Sequence, residues 1–298
     1  MEFSVHRIEP LRRSFPFRGG PWLCLLAAAF HVLAASAALA GGSKDEDDED
    51  DGPSPPNVYL DLYTSFATVP GNTLFLGFRN IAELTTSSSR NINVMAPMSV
   101  DVNDHLTLMA GVNLSTTSTA ATGWQDVAVN AVFAGFSADV LLQTGWLPKV
   151  TVQSYLARSV DTGTLGVDST TSTTVVEMDY ALDKDETRGF LGGIKYTNIQ
   201  VDTRLANVGA SLIGYAGGYY QWPNNWKVSG RFGVQSFDGA SLLNKVHLQS
   251  FTQPIMRLDL QRMDDDDNKL FGVSFEVVWA PKPVYQLTLN TPLYLHRE

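Results

Sequence analysis

The sequence has almost no cysteine, few histidines and little charge. Its 298 residues include 1 cysteine and 5 histidines, and 17% are charged. The single cysteine, Cys24, cannot form an internal disulfide, which argues against a secreted eukaryotic module and suits a Gram-negative envelope protein. The net charge of −10 disfavours nucleic acid as a partner.

A long apolar run is also missing after the first forty residues. Before that point, an apolar segment follows four arginines and ends at Ala38-Leu39-Ala40. This arrangement predicts a cleaved signal peptide over residues 1–40, with an uncleaved anchor as the alternative. Residues 41–57 are acidic and end in a cluster of prolines, so we expect a disordered leader. No later run reaches the ~18 apolar residues of a membrane helix.

The remaining chain alternates apolar and polar residues instead. Between Trp226 and Val234, apolar side chains fall on one face, whereas Lys227 and Arg231 fall on the other. This period of two predicts a strand with two unlike faces. Similar segments recur from residue 58 to residue 295, and several have the ~9 to 11 residues of a strand that crosses a bilayer obliquely.

The pattern predicts an all-β fold, a transmembrane antiparallel β-barrel over residues 58–298. It has about twelve strands, or fourteen if every candidate segment is counted, including 73–81 and 245–251. Only a closed barrel can cross a membrane with strands. A soluble β-sandwich is the alternative, but tryptophans near strand ends and unequal connections are typical of outer-membrane barrels.

Two features of this topology stay open. Residues 58–66 are either a wall strand or an inward plug. The short turns at Asn103-Asp104 and 281–283 both look periplasmic, yet that assignment would make the last strand end outside the cell.

Charged residues mark the predicted inner face. If the apolar face contacts lipid, these residues face the lumen, where water or opposite charges must satisfy them. The pattern therefore predicts either a solvated channel or an internal charge network. The candidate pore-lining residues are Lys227, Arg231, Arg257, Asp259 and Glu276, for which we expect electrostatic selection of solutes.

Two neighbouring segments resemble a known family. Residues 101–108 (DVNDHLTL) with Gly111, followed by residues 123–129 (GWQDVAV), are similar to the patterns G-L-T-D-R-L-x-L-x-x-G and G-x-G-D-x-x-L. These patterns occur in the outer-membrane β-barrel family associated with the meta-pathway of phenol degradation. The resemblance implies a periplasmic turn at the first pattern, a strand opening after an outer loop at the second, and passage of aromatic or other hydrophobic compounds.

The leading functional hypothesis is an outer-membrane channel for passive uptake of small solutes, including hydrophobic or aromatic ones. We expect contacts with outer-membrane lipid, small-molecule solutes and the barrel assembly machinery, and no cofactor, metal site or catalytic residue. The first alternative is a closed structural or adhesive barrel that binds partners through its loops. The second is a barrel hydrolase built around His247, although Ser250 lies on the opposite strand face and cannot form a local dyad with it.

Overall fold

The structure is a computed structural model. It describes residues 57–71, 73–75, 83–85, 87–160, 168–202, 206–242, 246–264, 269–279 and 282–296. The expected signal peptide lies outside these residues, as does the expected leader apart from Asn57. Within the described ranges, no helix is long and apolar enough to span a membrane.

Twelve long strands of 10 to 15 residues form the wall of a closed barrel. Alternating side chains produce these strands, because each strand places one face on the barrel exterior and the other in its interior. The strands are β1 (Val58–Val69), β2 (Ser89–Asn103), β3 (Leu106–Thr119), β4 (Ala128–Leu141), β5 (Lys149–Ser159), β6 (Ser169–Ala181), β7 (Arg188–Val201), β8 (Ser211–Gln221), β9 (Trp226–Phe237), β10 (Phe251–Met263), β11 (Lys269–Val278) and β12 (Val284–His296).

Every wall strand pairs antiparallel with its sequence neighbours, and β1 pairs with β12 from Val58↔His296 to Thr68↔Tyr285. This pairing closes the barrel and leaves the wall without a free edge. The twelve-strand prediction is confirmed. Residues 58–66 belong to a wall strand, so the plug interpretation is wrong.

The two additional candidate segments do not supply wall strands. In the described residues, they contribute only the short strands Thr73–Phe75 and Val246–Leu248, which lie in the connections. Short strands also occur at Glu83–Thr85, Gly123–Trp124, Ala206–Val208 and Ala240–Leu242. Alternation alone did not distinguish such connection segments from the wall.

Strand direction assigns the connections to two ends. The turn end carries the β2–β3 turn at Asp104-His105, together with Val58 and His296. The loop end carries the β1–β2 connection and the β11–β12 connection at 279–283. The placement of both short turns at one end is therefore wrong, and β12 returns to the turn end. Proline made the 279–283 connection look like a turn-end hairpin, whereas the even number of strands decides its position.

The outer surface is apolar along the strands. Phe190 and Phe232 are 61% and 60% exposed, and large exposed hydrophobic side chains recur around the wall. An apolar surface of this extent is typical of a membrane contact. Aromatic side chains gather near both ends, as interfacial belts do. They include Trp146, Trp222 and Trp226 at the turn end, and Trp124, Trp279 and Tyr285 at the loop end.

Candidate functional site

The barrel interior has one filled side and one side open to water. Along β8 to β12, inward side chains such as Gln235, Gln253 and Arg257 are almost fully buried. On β5, Gln153 lies between the inward residues Thr151 and Tyr155 and is exposed to solvent. The Lys149 side chain on the same face is 43% exposed. We call the space along the inward faces of β4 to β6 the water lane.

A buried ionic network occupies the filled side. Arg257 Nε and Nη2 donate to Asp259 at 2.9 and 2.6 Å, and Nη2 also donates to Ser274 Oγ at 3.0 Å. Ser274 in turn donates to Asp259. Glu276 lies directly across from Arg257 on β11 and is 5% exposed. Three of the predicted residues thus meet in one network, which satisfies charges that burial alone would make costly.

Arg231 belongs to a second group at the border of the water lane. Its guanidinium lies 3.2 Å from Glu177 on β6, and Tyr215 on β8 donates a 2.5 Å hydrogen bond to the same carboxylate. The Arg231 group also lies 5.6 Å from the Tyr215 ring centroid, within cation-π distance. The Arg231 and Glu177 side chains are 18% and 29% exposed, so this ion pair is open to water in part.

Lys227 belongs to a similar group nearer the turn end. Its Nζ lies 4.4 Å from the Tyr219 ring centroid, and the Tyr219 hydroxyl hydrogen-bonds to Asp179. Both groups therefore combine an acid from β6, a tyrosine from β8 and a cation from β9. We call them the acid-tyrosine-cation units. Lys227 lies on the inward face of β9.

Several residues of this site were missed from the sequence. Glu177 and Asp179 stand two positions apart on β6, which places them on one strand face, opposite Val176 and Met178. That spacing is a usable signal, although the alternation by itself indicates only a strand. Tyr215 and Tyr219 gave no separate signal, because aromatic residues are common on both faces of such strands. Lys195 on β7 is also buried in the interior, at 3% exposure.

Two glycines of β7 make room for the tyrosines. A Cβ atom on Gly193 would lie 2.6 Å from the Tyr215 hydroxyl and 2.7 Å from the Val176 carbonyl oxygen. A Cβ atom on Gly189 would lie 2.6 Å from the Tyr219 hydroxyl. Side chains at these positions would clash with the tyrosines that span from β8 toward β6. The glycines thus permit both acid-tyrosine-cation units.

The Gly193→Ala variant should lower the free energy of unfolding by about 1 to 3 kcal/mol, because an overpacked site must displace backbone and tyrosine together. Urea unfolding in detergent micelles measures this loss. Gly192→Ala is the matched control, since its Cβ atom would face outward with the nearest atom at 3.8 Å. Equal stability of the two variants would show that the glycine requirement is wrong.

Among the described residues, no catalytic site assembles around His247 for the hydrolase alternative. Ser241 lies directly opposite His247 in the connection between β9 and β10, and Asn207 lies opposite Ser241 on its other side. In the described part of the chain, no hydrogen bond joins Ser241 to His247. The serine stands between the other two residues, whereas a catalytic triad needs the histidine in the middle.

The comparisons with known proteins show a similar fold without a similar sequence. The sequence matches no protein-family model and no curated protein. An outer membrane channel from Pseudomonas putida F1 has a TM-score of 0.51 to this structure at 10% identity, covering 84% of this chain and 100% of that one. That likeness shows the barrel fold.

Two other solved structures score lower. The translocator domain of the autotransporter NalP from Neisseria meningitidis has a TM-score of 0.44 at 13% identity, covering 91% of this chain and 98% of that one. The CymD monoaromatic hydrocarbon channel has a TM-score of 0.42 at 12% identity, covering 82% of this chain and 90% of that one.

Proposed function

We propose that the protein is an outer-membrane channel through which small solutes diffuse along the water lane. The observation that carries this proposal is Gln153, an inward side chain in the middle of a wall strand that is nevertheless exposed to solvent. The apolar exterior and the two aromatic belts support a membrane location. The expected export signal supports the outer membrane.

The predicted pore-lining residues divide into two roles under this proposal. Arg231 and Lys227 border the water lane and act on passing solutes together with Glu177 and Asp179. The filled side is stabilised by Arg257, Asp259 and Glu276. Because these residues are buried, they do not contact solutes directly. No step of this function requires a catalytic residue, a metal or a cofactor.

The finer proposal concerns the solute. The resemblance of residues 101–129 supports hydrophobic or aromatic compounds, and the first matched segment does form the β2–β3 turn. Vesicles that contain the protein should therefore admit an aromatic carboxylate that empty vesicles exclude. Entry of a sugar of similar size, without entry of the aromatic carboxylate, would reject the finer proposal and leave the channel intact.

Gln153→Trp should reduce single-channel conductance in planar bilayers several-fold, because the indole would occupy the water lane. Ser154→Trp is the matched control, since Ser154 lies on the outward face, where an indole meets lipid and leaves conductance unchanged. Equal conductance of the two variants would show that solutes do not pass through the water lane.

A closed barrel is the second candidate. It is favoured by the filled side, where Gln253 donates to Gln235 and Gln235 donates to Ser211 in a buried chain. This candidate predicts no conductance from wild-type protein whose heat-modifiable gel migration shows a folded barrel. Conductance above that of empty bilayers would reject it.

A further inference from the structure

A cavity of about 540 Å³ lies at the loop end, over the ends of β12, β1, β2 and β3. This volume falls within the ~300 to 1,000 Å³ of small-molecule sites. Hydroxyl groups dominate its polar lining, together with one guanidinium and one phenol. The polar lining residues include Thr68, Ser88, Ser89, Arg90, Ser118 and Tyr285.

Four of these residues form a row across adjacent strands. Tyr285 pairs with Thr68, Thr68 pairs with Arg90, and Arg90 pairs with Ser118. Directly paired residues share a face of the sheet, with Cβ atoms about 4.5 to 5.5 Å apart. The row faces outward, because Phe66, two positions from Thr68, is exposed on the lipid side. We call these four residues the rim row.

Arg90 supplies a cation to the rim row. Its side chain is exposed, and no carboxylate lies within 4.0 Å of it among the described residues. By contrast, Arg158, Arg188, Arg231 and Arg257 each pair with a carboxylate. A guanidinium flanked by hydroxyl groups is suited to bidentate contact with a phosphate.

A buried hydroxyl marks the inner edge of the cavity. Ser89 is 6% exposed and lines the cavity, and its Oγ has no hydrogen-bond partner among the described residues. Ser89 precedes Arg90 directly in β2, so its side chain faces the barrel interior and not the outward rim row. The hydrogen-bonding groups beside Arg90 on the outward face are therefore the hydroxyls of Thr68, Ser118 and Tyr285.

The position of the rim row identifies the source of the ligand. The next outward row toward the middle of the wall contains Leu287, Phe66 and Ile92, of which Leu287 and Phe66 are 45% and 42% exposed. A polar row above an apolar row matches a lipid whose headgroup lies above its acyl chains. Tyr285 adds an amphipathic ring at the same level, where such rings favour the interface.

We propose that the rim row and its cavity bind the phosphorylated sugar headgroup of an outer-leaflet glycolipid. Arg90 contacts the phosphate, the hydroxyls of Thr68 and Ser118 contact the sugar, and Phe66 with Leu287 contacts the acyl chains. This inference rests on the membrane location in the proposed function, and it takes the end with the longer connections, the loop end, to face outside the cell. It does not require the barrel to conduct.

Native mass spectrometry of the full chain in detergent micelles tests this site, with a phosphorylated disaccharide glycolipid as the probe. The wild-type protein should retain the lipid, Arg90→Gln should reduce the bound fraction at least fivefold, and Arg90→Lys should keep part of it. Arg188→Gln is the matched control, because it removes an exposed arginine near the turn end and should bind like wild type. Heat-modifiable migration verifies that every variant is folded.

Three outcomes would overturn the proposal. Equal lipid binding by wild type and folded Arg90→Gln would show that Arg90 does not contribute to the site. Equal binding of the dephosphorylated glycolipid would show that the site does not recognise the phosphate. Equal binding of the free phosphorylated disaccharide would make a soluble solute, not a lipid, the occupant. Lipid binding by wild-type protein that does not conduct would support this inference while rejecting the channel, so the two failures are distinguishable.

Discussion

Replacing Arg257 with methionine should lower the free energy of unfolding of the barrel by about 3 to 5 kcal/mol. The substitution leaves the Asp259 carboxylate, which is 2% exposed, without its guanidinium partner and beside the buried Glu276. An uncompensated buried charge costs more than the lost contact itself. Urea unfolding in detergent micelles, followed by tryptophan fluorescence, measures the change.

Two further variants make this result specific. The double variant Arg257→Met with Asp259→Leu removes both charges and should recover a large part of the loss, because apolar groups of similar volume can replace a buried pair. Lys149→Met breaks a pair with Asp139 at 2.8 Å, in which the lysine side chain is 43% exposed, and should cost less than ~1 kcal/mol. If Arg257→Met were as mild as Lys149→Met, the buried network would not stabilise the barrel.

Reversing charge at the border of the water lane should change ion selectivity on the order of tenfold. Arg231→Glu shifts the local charge by two units toward negative and should favour cations, whereas Glu177→Lys should favour anions. Between the dielectric limits of water and a protein surface, such a change is worth on the order of 1 to 2 kcal/mol to a passing ion. Reversal potentials in planar bilayers under a salt gradient give the permeability ratio.

Arg158→Glu is the control for these reversals. Arg158 lies on the outward face of β5 near the loop end, where it pairs with Asp202 and Asp168 away from the water lane. Its reversal should leave selectivity close to that of wild type. Unchanged reversal potentials in both Arg231→Glu and Glu177→Lys would show that this acid-tyrosine-cation unit does not line the conduction route. Glu276 is too buried for this test, because its reversal would first disturb the Arg257 network.

The strands and their faces could be predicted because both follow from a local period of two. Lys227, Arg231 and Arg257 point inward as the alternation requires, and β1 has the length and pattern of a wall strand. The partners could not be predicted in the same way. Glu177 and Arg231 are separated by 54 positions and meet only because β7 and β8 bring β6 near β9.

The topology of the barrel could not be predicted from local sequence patterns either. The segment around Val246–Leu248 alternates like a wall strand, but only global pairing shows that it belongs to a connection. The prolines around residue 282 gave the appearance of a turn-end hairpin, although the count of strands places that connection at the loop end. The pairing of strands that are distant in the sequence decides such points, and local alternation does not show which segments pair.

The glycines of β7 also have a mechanical consequence. At Gly193, the hydrogen bond from Tyr215 to Glu177 passes over a strand that has no side chain there, so β6 and β8 are joined directly as well as through β7. Separating β7 from β6 or β8 must therefore strain the hydrogen bond between Tyr215 and Glu177 in addition to the backbone hydrogen bonds. The β6–β8 part of the wall is therefore held together by a side-chain hydrogen bond as well as by its backbone hydrogen bonds.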